Sequence, residues 1–133
     1  MRAGSVHHLA VLVDSVERVA PFYVDVLGLP VVRRHLRDDG TLRSVWLALD
    51  DARFLAIEET PTGPAAVPQD DVSTPRAGLH CLALAIDARD RDAWRERLER
   101  HGVAIERESD FTLYVRDPVG ALIALSHYPE PRG

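Results

Sequence analysis

The sequence predicts an α+β fold of two β-α-β-β-β modules whose mixed sheets are cupped. The first observation behind this is a stretch that occurs twice. His8-Leu9-Ala10-Val11-Leu12-Val13-Asp14 has a counterpart seventy-three positions on, Cys81-Leu82-Ala83-Leu84-Ala85-Ile86-Asp87, with apolar residues at the same alternate places and an aspartate closing each run. The second is the succession after each copy: a helical segment, a glycine (Gly28 or Gly102), a β-branched run, then two strands around a tight turn. The third is a Pro-rich stretch between the halves. An internal repeat of this kind sets the architecture before any single residue does.

Residues 7–13 alternate as a half-buried strand does, and Asp14 ends the run. Asp14-Ser15-Val16-Glu17 reads as a capping box, an acceptor ahead of the helix and a glutamate three residues on. Val16, Val19, Ala20, Tyr23 and Leu27 recur at helical spacing, and Gly28 suits the C-terminal cap. Pro21 lies beyond the first turn, where it removes an N–H and clashes with the preceding turn, so it predicts a kink or a late start. Residues 31–36 read as a strand and Asp38-Asp39-Gly40 as a turn. Residues 44–49 and 53–59 are two further strands joined through Asp50-Asp51, completing a module over 4–59.

Residues 60–78 carry Pro61, Pro64, Pro68, Pro75, Gly63 and Gly78 with little hydrophobic pattern, which reads as a linker over the surface. The second module covers 79–128. Its helix runs over residues 90–101 with Ala93, Trp94 and Leu98 as a narrow apolar stripe. Strands are expected at 103–107, 111–116 and 121–127, with Asp117-Pro118-Val119-Gly120 as a turn and 129–133 as a loose tail.

The length of 133 residues suits a single domain spanning 1–133 that buries a real core. A net charge of -5 argues against a nucleic-acid surface, which needs clustered Lys and Arg. One cysteine makes no intrachain disulfide. The longest apolar runs are strand-sized, and His7 and His8 interrupt any signal-peptide core. The expectation is a soluble cytoplasmic protein with no membrane or nucleic-acid partner.

Strand side chains alternate between faces. If Leu9, Val11, Val13, Val45, Leu47, Leu55 and Ile57 pack under the helices, the other face carries His8, Trp46, Phe54 and Glu58 in the first module. Cys81, Tyr114 and Arg116 take that face in the second, and alanines separate these residues in both. The two cupped sheets are expected to share a concavity lined by small residues, three aromatics and a few polar groups, the make-up of a small-molecule site.

Four stretches resemble the vicinal oxygen chelate superfamily, the group of glyoxalase I, bleomycin-resistance proteins and extradiol dioxygenases. They are the His8–Asp14 run, Pro21-Phe22-Tyr23 leading to Leu27-Gly28-Leu29-Pro30, Gly78-Leu79-His80-Cys81 with its strand, and Arg116-Asp117-Pro118-Val119-Gly120. The resemblance covers nearly the whole chain. It implies paired modules, a homodimer, and a metal within the sheets of the enzyme members. Of the metal ligands it implies, the first-strand histidine matches His8. The histidine opening the second module falls at Cys81, with His80 one residue early on the other parity. The last-strand carboxylate falls at Ala124 and its first-module counterpart at Ala56, with Glu58 two residues on. One of four positions therefore keeps its usual ligand.

The expected function is a small-molecule-binding protein without the usual metal or other cofactor. Trp46, Phe54 and Tyr114 would stack on an aromatic or apolar ligand, and Arg116 would clamp its anionic group. One alternative is a metal-dependent isomerase, lyase or dioxygenase holding zinc, iron, nickel or manganese through His8, Cys81 and Glu58. Another is a metal-free enzyme with His8 or Glu58 as general base. Cys81 reads either as a small packed residue or as a thiolate, which would need a cationic neighbour. His7, His35, His101 and His127 read as surface or strand-end residues.

Overall fold

The computed structural model describes residues 1–60 and 77–132, so most of the expected linker, including Pro61, Gly63, Pro64, Pro68 and Pro75, lies outside the described residues. The chain divides into two compact units, Met1–Ala66 and Val67–Gly133. In the first, β1 (His8–Val13) leads to α1 (Val16–Pro21), a π-helical turn (Phe22–Val26), then β2 (Val31–Leu36), β3 (Leu42–Ala48) and β4 (Phe54–Glu59). In the second, β5 (Leu82–Ala85) leads through a 3-10 turn (Ala88–Asp90) to α2 (Arg91–Arg100), then β6 (Arg107–Glu108), β7 (Thr112–Arg116) and β8 (Leu122–Ser126). The sheet orders are β1-β4-β3-β2 and β5-β8-β7-β6. In each, the first strand runs parallel to the last and the other pairs are antiparallel. The sequence repeat thus folds twice into one topology, as expected.

The first core follows strand parity. Val13, Val45, Leu47, Leu55 and Ile57 are buried with Val16, Val19 and Ala20 of α1, each large apolar side chain contributing about 1.5–3 kcal/mol. The cap differs from the expected box. Ser15, rather than Asp14, accepts the Arg18 amide at 3.2 Å, while Asp14 pairs with the Arg18 guanidinium. The glutamate that serves the helix comes from β4, where Glu59 Oε2 accepts the Val16 amide at 2.9 Å. That is possible because β4 runs beside β1 and the Thr60 amide bonds to the Val13 carbonyl at 2.9 Å. The Val16 bond and the Arg37 guanidinium, 2.8 Å from Oε1, hold the Glu59 carboxyl below its ordinary value.

Pro21 ends the α-helical pairing, as its missing N–H and ring require. The chain continues as a π turn in which the Leu27 amide reaches the Phe22 carbonyl at 3.0 Å. This keeps Phe22, Tyr23, Val26 and Leu27 buried. Gly28 and Gly102 end the two helical segments at φ 75° and 69°, the matched positions where the repeat places glycine.

In the second unit Leu113, Val115, Ile123 and Leu125 are buried with Leu98 of α2. The expected helix stripe needs correction: Ala93 is exposed, Trp94 is half-buried, and the second buried residue of α2 is Arg91. Its guanidinium donates to Nε2 of His127 at 2.9 Å, to the Ser109 carbonyl at 2.7 Å and to Glu108 at 3.1 Å. His127, expected at the surface, is 3% exposed, and its Nδ1 lies 2.6 Å from the Glu130 carbonyl. The expected loose tail is tied as far as Arg132, which pairs with Glu108 at 3.3 Å. The strand expected at 103–107 reduces to Arg107–Glu108, because the Val103 amide turns back to the Leu98 carbonyl and the ladder starts only at the Glu106 amide.

Candidate functional site

On the first unit, the face opposite α1 carries one stacked row drawn from all four strands. Register sets His8 opposite Phe54, Ala10 opposite Ala56, and Trp46 opposite Ala56 on the other side. The imidazole of His8 stacks on Phe54 at 4.9 Å with planes 2° apart. Phe54 stacks in turn on Trp46 at 4.3 Å and 18°. His35 meets Trp46 edge-on at 5.0 Å, and the Arg33 guanidinium lies over its ring at 5.4 Å. Three of the sequence candidates, His8, Phe54 and Trp46, are therefore brought into contact. Ala10, Ala48 and Ala56 stand between them on the same face. The Trp46 Nε1–H is buried with no acceptor among the described residues, an unmet donor of the kind that native structures leave only for a reason.

Two members of this row escaped the sequence reading. Val31 pairs with Leu47 on the core side, and without a bulge Arg33 and His35 would follow it there. A register shift between Val31 and Arg33 instead sets Arg33 opposite Trp46 and His35 opposite Ser44. The His35 Nδ1 lies 3.4 Å from Ser44 Oγ. His35 is therefore part of the aromatic face and not an ordinary surface residue.

Glu58 shares this face but not this location. It lies opposite Leu12 and Ser44, four residues along β4 from Phe54, roughly 13 Å from the His8 row at about 3.3 Å per residue. A zinc–nitrogen or zinc–oxygen bond is about 2 Å, and the described side chains do not bring His8 and Glu58 together with a third donor. The Nδ1 of His8 lies 2.9 Å from Nδ1 of His7, Ala56 offers no donor, and within either unit no three described His, Cys, Asp or Glu side chains group as a metal site. Within the first unit, the described donors therefore do not assemble a metal site.

The second unit places its candidates separately. Cys81 precedes β5, exposed, and desolvation pushes its thiol above the usual value, with no cation among the described residues acting to favour a thiolate. Tyr114, half-buried on β7, lies opposite Ala124 and Arg107. Arg116 is engaged: Nε and Nη2 hold the Glu106 carboxylate at 2.6 and 3.3 Å, and Nη1 donates to the Gly120 carbonyl at 3.1 Å. The clamp geometry expected for a ligand anion is thus filled by the protein's own carboxylate.

Fold and site together define a paired-module scaffold with an aromatic face. The chain belongs to the Glyoxalase/Bleomycin resistance protein/Dioxygenase superfamily, whose family model matches residues 5–125. Among solved structures it is similar to a glyoxalase/dioxygenase from Nostoc punctiforme, with a TM-score of 0.76 and 21% identity over 95% of this chain and 92% of that one. An antibiotic-binding protein from a Streptomyces species matches with a TM-score of 0.65 and 25% identity, over 96% of this chain and 98% of that one. The fosfomycin resistance protein of Listeria monocytogenes matches with a TM-score of 0.68 and 15% identity, over 95% and 93%. No curated protein matches the chain. No helix among the described residues is long and apolar enough to cross a membrane.

Proposed function

We propose that this is a cytoplasmic small-molecule-binding protein, working as a homodimer and without the superfamily's metal. Its ligand is a flat aromatic or apolar organic molecule with an anionic group. The observation that carries the reading is the row His8–Phe54–Trp46, whose 4.9 and 4.3 Å stacking presents aromatic edges beside Ala10, Ala48 and Ala56. Each aromatic contact a ligand makes there adds about 0.5–1.5 kcal/mol beyond the area it buries. The unmet Trp46 N–H offers one hydrogen bond to a ligand oxygen. Tyr114 and Arg116 stand on the corresponding strand of the second unit, where Arg116 holds Glu106. The likeness to an antibiotic-binding protein is in keeping with a ligand-binding role.

Calorimetric titration with 2-naphthoate tests it. The native protein should bind, and Trp46→Ala should weaken binding by about five- to tenfold, the loss of one stacked partner. Absence of binding, or equal binding by Trp46→Ala, would refute the aromatic site.

A further inference from the structure

We propose that Arg33 selects the anion at this site, closing over a carboxylate or similar oxyanion on a planar aromatic ligand that stacks against Trp46. The inference rests on the binding reading above and adds the residue that recognises the charged group. Arg33 reaches the site because of the bulge in β2, which puts it opposite Trp46. Phe54 approaches Trp46 from β4 and Arg33 from β2, the strands on either side of β3. The Phe54 side is packed at 4.3 Å, whereas on the β2 side His35 meets the ring edge at 5.0 Å and an exposed guanidinium lies over the ring at 5.4 Å.

Arg33 differs from the arginines that hold a carboxylate, and from Arg34 and Arg43, which hold none among the described residues, by its contact with the Trp46 ring. Arg18, Arg37, Arg53, Arg91, Arg95 and Arg116 each hold a carboxylate. Among the described residues none pairs with Arg33, whose contact is the Trp46 ring. An exposed cation–π contact is weak and easily exchanged. A ligand ring takes the guanidinium's place on Trp46, and the planar fork, still within reach, donates two parallel hydrogen bonds to the oxyanion. Displacement of the guanidinium also uncovers the Trp46 face beside its unmet N–H. In the free protein Arg33 is therefore a cover, and in the complex it is the clamp.

The test compares 2-naphthoate with its neutral analogue 2-naphthamide by fluorescence quenching in a Trp94→Phe background, where Trp46 is the one remaining tryptophan. The parent should prefer naphthoate by about fivefold, as expected for a partly exposed charge pair. Arg33→Gln should abolish that preference and leave naphthamide binding in place. Arg34→Gln, whose residue lies opposite Val45 and off this face, should keep it. The preference should also fade in about 1 M salt, where exposed charges are screened. If Arg33→Gln keeps the preference, or if Arg116→Gln rather than Arg33→Gln removes it, the anion subsite is elsewhere and the inference fails while the binding reading stands. If neither probe quenches Trp46 in any variant, the binding reading fails and takes the inference with it.

Discussion

Replacing Arg91 with methionine should destabilise the second unit more than its place on a short, highly charged helix suggests. Its side chain is 2% exposed and fans across three segments. A guanidinium only donates, so Nε2 of His127 accepts at 2.9 Å, and the imidazole proton sits on Nδ1 toward the Glu130 carbonyl at 2.6 Å. Methionine fills the space of the aliphatic stem but leaves that buried nitrogen without a donor, at a cost of about 1–3 kcal/mol. The Ser109 carbonyl, on an exposed residue, regains water and adds less. Glu108 keeps Arg95 and Arg132 and contributes no separate loss. Arg91 also carries a buried Nε without an acceptor, and its removal offsets part of the penalty. The net loss is about 1–3 kcal/mol, or a fall in Tm of roughly 4–12 °C for a chain of this size. Differential scanning calorimetry measures it, with Arg95→Met as the exposed comparison expected to change little. If Arg91→Met melts within about 2 °C of the parent, where only a minor loss would register, the buried network does not anchor the tail.

Three other outcomes are expected. Glu59 has a folded-state pKa below its ordinary 4.5 because it accepts the Val16 amide and pairs with Arg37. Its stabilisation is therefore fully present above that value and lost as pH falls through the lower folded value. The stability gap between parent and Glu59→Gln should shrink in acid titrations followed by circular dichroism, and a gap constant from neutral to acid pH would refute the assignment. Protein purified without chelator should hold far less than one equivalent of zinc, iron, nickel or manganese by elemental analysis, and stoichiometric metal lost in His8→Ala would overturn the metal-free reading. Light scattering at micromolar concentration should give twice the 14.8 kDa chain mass, and a monomeric mass would count against the dimer.

How much of the molecule is legible in its sequence depends on how far each feature reaches along the chain. Periodicity is local. Alternation in residues 8–13, 44–48 and 54–58 already puts Trp46, Phe54 and His8 on one face and Val45, Leu47 and Ile57 on the other, and the strand register agrees. The repeat carries the topology, since two stretches with the same succession of strand, helix and glycine fold the same way. Pro21 likewise announces a break, because its effect on pairing is a property of the residue itself.

Pairings between distant segments are what the sequence leaves open. The bulge at Val32 turns Arg33 and His35 onto the aromatic face, and nothing in 31–36 records it, because a bulge exists only against its partner strand. Arg116 looks available in the sequence, yet Glu106, ten residues away, holds it. Arg91 is buried only because Ser109 and His127, from two other segments, supply acceptors where it lands. Glu59 caps α1 from forty-three residues downstream. The chain alone determines which face a side chain takes along a regular strand. Partners for its polar atoms are set by the tertiary structure, because a hydrogen bond needs both groups within about 3 Å and sequence separation does not measure that distance.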